Sequence, residues 1–150
     1  MDVLETLLNR FRTAGAVLIE PAGEQIISPF RMTLARNKIP QPAPDFFKFL
    51  ALTDGLIFNG LKFYGVQTHQ REEKNYTFPS LLEINMGFLE RNRSHEFVIL
   101  GENNEDLIVY HIKEKNYQLI DKTDLFPELS FPRFYDVLYF YGEEFLKGGT

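Results

Sequence analysis

Acidic and amide side chains cluster in one short segment of the chain. Glu102, Glu105 and Asp106 surround Asn103 and Asn104. Calcium binds oxygen ligands at turn-like spacing, but the segment lacks the D-x-[DN]-x-[DN]-G pattern of an EF-hand loop. Asn and Asp also favour ordinary turns. We therefore predict no metal site here, and interpret the segment as a hairpin loop that is either only a polar turn or an acidic loop facing a protein partner.

Residues for catalysis are not brought together by any recognisable motif. The histidines His69, His95 and His111 are far apart in the sequence, and there is no G-x-S-x-G, H-E-x-x-H or Walker-type pattern. A catalytic site needs a nucleophile, a base and a stabilising group. We predict a protein that is not an enzyme and needs no cofactor. An enzyme or small-ligand binder remains a weaker alternative, which a deep pocket holding two histidines or two carboxylates would support.

Composition narrows the class of protein further. The chain has no Cys, which excludes disulfides and thiolate metal sites and is compatible with a reducing compartment. The N-terminal sequence does not resemble a signal peptide, and no apolar run approaches the roughly 18 residues of a membrane span. These features predict a cytoplasmic protein that does not associate with membranes.

The charge of the chain is uneven. Residues 1–75 carry nine basic and eight acidic side chains, whereas residues 76–150 carry seven basic and 13 acidic ones, for a formal net charge of −5. An acidic protein repels nucleic acid and attracts basic partners, so we predict no direct nucleic-acid binding. The charge either serves a basic protein partner or only maintains solubility.

The elements that would position these residues follow from hydrophobic periodicity. We predict a single α+β domain over residues 1–150, with a largely antiparallel sheet bracketed by helices. Asn59-Gly60 predicts a hairpin, because both positions of a type I′ turn need positive φ. Residues 65–78 are interpreted as a surface loop. The predicted helices cover 3–13, 44–53, 79–92 and 131–147, with one or two helical turns within 30–37; the predicted strands cover 25–28, 56–58, 61–64, 97–101, 107–113 and 117–121.

Two blocks of sequence carry a resemblance to a known family. Ile39-Pro40, then Asp45-Phe46-Phe47-Lys48-Phe49-Leu50 and Thr53-Asp54-Gly55, resemble the signature of the SUKH superfamily (the Smi/Knr type), with the YrhA-like members closest. The strand Phe97–Glu102, the polar loop with Asp106 and the strand Ile108-Val109-Tyr110 resemble its second block. The closing aromatic helix, Phe134–Leu146, also fits. The resemblance implies an α+β fold and no catalytic residues.

The resemblance also implies a function. Bacterial SUKH proteins commonly neutralise a cognate toxin, and many such toxins are nucleases or deaminases, of which the nucleases are usually basic. Fungal relatives regulate cell-wall synthesis through protein contacts. We therefore expect an immunity protein that binds a basic toxin domain, or alternatively a regulatory scaffold with another intracellular partner. From expected exposure and charge, the predicted contact residues are Asp54, Asn59, Glu102, Asn103, Asn104, Glu105 and Asp106. Tyr135 and Tyr139, on the last predicted helix, are either peripheral core or interface residues.

Overall fold

A computed structural model describes residues 2–71, 76–92 and 96–146. Its main feature is a seven-stranded sheet in which every neighbouring pair is antiparallel, in the order β1-β2-β3-β6-β7-β8-β9; β4 and β5 form a separate hairpin. The strands are β1 (Val17–Leu18), β2 (Leu56–Phe58), β3 (Leu61–Phe63), β4 (His69–Arg71), β5 (Tyr76–Phe78), β6 (Phe97–Glu102), β7 (Asp106–His111), β8 (Asn116–Asp121) and β9 (Pro127–Phe131).

Five helices cover this sheet within the described ranges, and together they define a single α+β domain. They are α1 (Val3–Thr13), α2 (Glu24–Arg36), α3 (Pro44–Leu52), α4 (Leu81–Asn92) and α5 (Phe134–Leu146). None of these helices is both long and apolar enough to cross a lipid bilayer.

The two faces of the sheet carry cores of different size. Alternate residues of a strand point to opposite faces, so Val98 and Leu100 join the main core with α1, α2, α3 and α5. Phe97 and Ile99 point the other way, into a smaller core that Phe88 of α4 covers. One face is therefore covered by four helices and the other mainly by α4.

The prediction of fold class is confirmed, and so are most elements. Asp2 caps α1 by accepting from the Leu4 N–H at 3.0 Å. The hairpin at Asn59-Gly60 forms with φ values of 49° and 87°, as a type I′ turn requires. The three-strand meander appears as β6, β7 and β8.

The predicted strand at residues 25–28 is wrong, because these residues belong to α2. Pro29, which directly follows the predicted strand, lies inside the helix on its exposed side. Ile27, Phe30 and Leu34 form a buried stripe, and burying such side chains contributes about 1.5–3 kcal/mol each. That contribution offsets the roughly 3 kcal/mol that proline costs inside a helix.

Two further stretches differ from the sequence prediction. The predicted loop at residues 65–78 contains the β4–β5 hairpin, with residues 72–75 outside the described part of the chain. The last helix begins at Phe134, three residues later than predicted, because residues 127–131 form β9 at the edge of the sheet. Its predicted final residue, 147, also lies outside the described residues.

Candidate functional site

One end of the large sheet carries a cluster of carboxylates, which we call the acidic surface. The β6–β7 turn and the β8–β9 turn build it side by side: Asp106 pairs in register with Asp121, and the Lys122 N–H donates to the Glu105 carbonyl at 3.0 Å. The start of β9 completes the cluster. The members of the acidic surface are Glu102, Glu105, Asp106, Asp121, Asp124 and Glu128.

Asn103 fixes the conformation of the β6–β7 turn. Its Oδ1 accepts from the N–H groups of Glu105 and Asp106, both at 2.8 Å. Its Nδ2 donates to the Tyr141 hydroxyl at 2.7 Å, which ties the turn to α5. This Asx geometry directs the Glu105 side chain to solvent, so Asn103 acts by holding the turn in place.

Three carboxylates of the acidic surface lie unusually close together. Oxygen atoms of Asp106, Asp121 and Glu128 all fall within 4.8 Å of one another. The charge of Asp106 is the main cause that raises the pKa of the exposed Glu128 carboxyl group, and a side-chain contact with Asp106 acts in the same direction. Asp106 Oδ1 is buried and has no hydrogen-bond partner among the described residues. The triad is therefore a site of like-charge repulsion that a cationic group would relieve.

Three carboxylates are also the kind of oxygen ligand set that hard divalent cations take. Acidic side chains at a protein surface often lie near one another without binding an ion. The absence of a resident metal therefore stays a prediction.

Glu102, by contrast, is held by specific partners. The Tyr64 hydroxyl donates to it at 2.6 Å and Lys122 Nζ lies 2.9 Å away. Burial disfavours the Glu102 charge, but these two partners outweigh it and lower the pKa of the carboxyl group. Burial, then the hydrogen bond to Glu102, raises the pKa of Tyr64. Glu102 is thus ionised and largely neutralised locally, and it links β6 to the β8–β9 turn.

The predicted contact residues near the hairpin and the meander do come together. The β2–β3 turn lies beside the β6–β7 turn, because side-chain atoms of Asn104 are 3.0–3.3 Å from the position that a Cβ on Gly60 would take. Asn59, Asn104 and Glu105 are exposed there. The structure therefore places Asn59 beside Asn104 on one surface, a neighbourhood that the sequence did not predict, and the role of these residues as partner contacts stays a prediction.

Asp54 does not belong to this surface, and its expected exposure is wrong. Its side chain is fully buried. It accepts from the Val66 N–H at 2.7 Å and the Gln67 N–H at 3.1 Å, and it lies 2.7 Å from His69 Nε2. Carboxylates are buried only with such partners, so Asp54 is a structural group that holds the chain after β3.

The other candidate residues for catalysis also have local partners. His69 is engaged by Asp54, and His111 Nδ1 accepts from the Glu114 N–H at 3.1 Å. His95 lies outside the described residues. The two described histidines lie on strands of different sheets, His69 on β4 and His111 on β7.

The sequence did not reveal a groove between β9 and α5. Its volume is about 490 Å³. Phe131 and Phe140 pack against each other with ring centroids 5.5 Å apart and line it together with Tyr139, while Glu143 and Glu144 lie at its rim. The groove could not be predicted, because β9, which forms one of its walls, was not predicted.

A second groove lies between α4 and the smaller core, with a volume of about 570 Å³. Ile84, Phe88 and Ile99 provide apolar walls, and Arg91 and Glu102 are among its charged groups. Its charges are of both signs, so its electrostatics do not select one class of ligand.

These observations define an α+β protein with an acidic surface at one end of an antiparallel sheet and an apolar groove along one edge strand. No protein-family profile matches the chain, and no curated protein sequence matches it.

Proposed function

We propose that this chain is a protein-binding protein that recognises a basic partner through its acidic surface. The main support for this proposal is that two turns and one strand end bring five carboxylates together. These are Glu105, Asp106, Asp121, Asp124 and Glu128. Like charges held at this spacing destabilise the free protein, and a cationic partner relieves the repulsion. Such complementarity raises association rates and disfavours wrong partners.

The resemblance to the SUKH superfamily suggests who the partner is. We propose an immunity protein that binds and neutralises a cognate bacterial toxin of the nuclease type. A nuclease domain presents basic side chains to its nucleic-acid substrate, so an acidic binder can occupy the same surface. Inhibition then needs no chemistry from this chain, only an interface that covers the toxin's substrate site.

Co-expression with the product of a neighbouring gene that arrests growth on its own tests the proposal. We expect growth arrest by the toxin to be relieved and a stoichiometric complex to form with the purified toxin domain. Persistent growth arrest together with no complex would overturn the immunity function. Rescue of growth without a complex would overturn direct neutralisation.

A further inference from the structure

We infer that β9 and the groove beside it bind an extended segment of the partner, which adds to the sheet as a further strand and presents Lys or Arg side chains to the acidic triad. The inference rests on the proposed function, because it assumes that the ligand is a protein. It specifies which part of the chain makes the contact and what conformation the partner takes. Strand addition of this kind takes affinity from main-chain hydrogen bonds and specificity from alternate side chains.

The first observation is that β9 is an edge strand. It is last in the strand order and pairs with β8 alone. Along an antiparallel strand, alternate residues direct their backbone groups to the same neighbour. Because the Asp121 N–H donates to the Phe126 carbonyl, Leu119 and Tyr117 also face β9, where they pair with Leu129 and Phe131. Ser130, between those two, directs its N–H and carbonyl to the open edge.

The second observation is apolar surface along the same edge. Leu129 on β9 is 45% exposed and Tyr139 on α5 is 46% exposed, and Tyr139 lines the β9–α5 groove together with Phe131. An edge strand is normally protected against pairing by charge, proline or a bulge, and β9 has all three at its start: Glu128, Pro127 and a register shift opposite Leu119 and Ile120. The part of β9 that is open to an added strand is therefore Leu129–Phe131. There the apolar groove would accept every second side chain of the added strand, since those side chains point to the same face.

The third observation selects the chemistry of the added segment. Glu128, within the triad, lies near the start of β9, and Glu143 and Glu144 line the groove on α5, where Arg133 is paired with Asp136. Asp121 lies two residues after Leu119 along β8 and therefore faces the same side of the sheet as the groove. The partner segment that matches this arrangement directs apolar side chains into the groove and carries Lys or Arg at its ends. A second copy of this chain fits less well, because pairing two β9 edges would bring the acidic triads and the Glu143 and Glu144 carboxylates of both copies toward one interface.

A synthetic valine-rich peptide with lysine at both ends is the first probe, and the same peptide with glutamate in place of lysine is its control. We expect NMR titration of the whole chain to shift the amide resonances of Leu129, Ser130 and Phe131, and to protect the Ser130 amide from exchange. The lysine peptide should bind at least about tenfold more tightly than the glutamate peptide. Shifts confined to the two acidic turns, or equal binding of the two peptides, would overturn the inference.

Ser130→Pro tests the backbone directly, because proline removes the outward N–H and is tolerated on an edge strand whose N–H faces solvent. We expect about tenfold weaker binding of the lysine peptide than to Ser130→Ala. Should the proline variant not fold, Glu143→Lys combined with Glu144→Lys replaces it, with the same expected loss. Unchanged binding by the folded variant would contradict the inference.

The two proposals fail in distinguishable ways. A toxin domain that binds the wild-type chain and Ser130→Pro equally would overturn strand addition and leave toxin binding intact. A toxin domain that does not bind, while the lysine peptide binds at β9, would overturn toxin neutralisation and support the edge as a binding site. Self-association of the free chain that Ser130→Pro abolishes would identify a second copy as the occupant and overturn the inferred one.

Discussion

At the scale of single residues, Asp54 belongs to a sequence motif that has a structural role, although it was predicted to contact a partner. Its neighbours in the sequence have related roles: the Thr53 hydroxyl lies 2.8 Å from the Ile19 carbonyl and 2.7 Å from the Gly55 carbonyl. A Cβ on Gly55 would lie 2.9 Å from the Phe63 carbonyl oxygen. Thr53-Asp54-Gly55 thus joins α3 to the start of the sheet, and its residue types follow from that junction.

We expect Asp54→Asn to lower the free energy of unfolding by about 3 kcal/mol. Asn keeps the shape of Asp but loses the charge opposite His69. It also places an N–H₂ group where a backbone N–H needs an acceptor. Breaking one member of a buried hydrogen-bond network costs about 3 kcal/mol. Chemical denaturation measures the change. The exposed Asp124→Asn is the control and should stay within about 0.5 kcal/mol. An equally small effect for Asp54→Asn would contradict the structural role.

For the acidic triad we predict the opposite effect, a substitution that stabilises the folded protein. Because the folded state raises the pKa of Glu128 above its ordinary value of 4.5, ionisation of this group opposes folding. We expect Glu128→Gln to raise the melting temperature at neutral pH. The gain should shrink as the pH falls and vanish once the pH is below 4.5, where the carboxyl group is protonated in both states.

Glu102→Gln provides the matched comparison. The pKa of Glu102 is lowered in the folded state, so its charge contributes stability above its ordinary pKa and loses that contribution as the pH falls through the folded value. We expect this variant to melt at a lower temperature than the wild type at neutral pH. Thermal melts of both variants across this pH range measure the changes in melting temperature. Changes of the same sign at neutral pH would contradict our account of the triad.

Residue-level prediction from sequence was reliable where the determinants are local. Asn59-Gly60 needs only two adjacent residues in positive φ, so its turn was predictable. Asp54 was not, because its partners Val66, Gln67 and His69 lie 12 to 15 residues away. A buried carboxylate and an exposed one look the same in a sequence until the donors that surround it are known.

At the scale of elements, the buried polar side chain of Asn85 bonds α4 to the sheet. Asn85 Nδ2 donates to the Ile99 carbonyl at 2.9 Å and Oδ1 accepts from the Ile99 N–H at 2.8 Å. The β6–β7 register shifts between Ile99 and Gly101, which leaves the backbone of Ile99 available for this contact. Asn85 therefore replaces a neighbouring strand at the bulge.

We expect Asn85→Leu to lower the free energy of unfolding by about 2–4 kcal/mol, because it leaves both backbone groups of Ile99 buried and unpaired. Hydrogen exchange of the Ile99 amide should accelerate more than that of Val109, which lies opposite it in the ladder. Met86→Leu, at the next and exposed position of α4, is the control and should change little. Unchanged protection of the Ile99 amide would contradict this role.

Elements were predictable from sequence when one strong pattern dominated. The stripe of α1 and the alternation of the meander met that condition, and both were confirmed. β9 did not, because its five residues include Pro127 and expose most of their side chains, so neither β-propensity nor alternation identifies it. The predicted helix at 79–92 begins two residues before α4, because Pro79 was taken as the helix start. The helix is instead capped by the capping box Ser80–Glu83, in which each side chain accepts a hydrogen bond from the other residue's N–H.

At the scale of the whole molecule, the sequence predicted an acidic second half but could not say whether its charges form one surface. Periodicity assigns residues to faces, not to neighbours across a sheet. The antiparallel meander brings the acidic side chains onto one surface, because it returns the chain to the same end of the sheet after each pair of strands. Six carboxylates from turns about 20 residues apart in sequence are gathered there as a consequence of strand length and pairing.

A pair of charge-reversal variants separates this local arrangement from net charge. Glu105→Lys with Asp124→Lys alters the acidic surface, whereas Glu20→Lys with Glu90→Lys alters exposed positions after β1 and in α4. Each reversal adds two units, so both variants move the formal net charge from −5 to −1. If partners respond to net charge alone, the two variants behave identically.

We expect the acidic-surface variant to associate with the basic toxin domain at least about tenfold more slowly than the control variant, with a smaller change in dissociation, because rim charges act mainly on encounter. The difference should shrink as salt is raised, since the Debye length falls from about 10 Å at 0.1 M to about 3 Å at 1 M. Stopped-flow association at several ionic strengths measures both effects. Equal slowing in the two variants would show that the position of the carboxylates does not matter, and would remove the basis for a specific acidic docking surface.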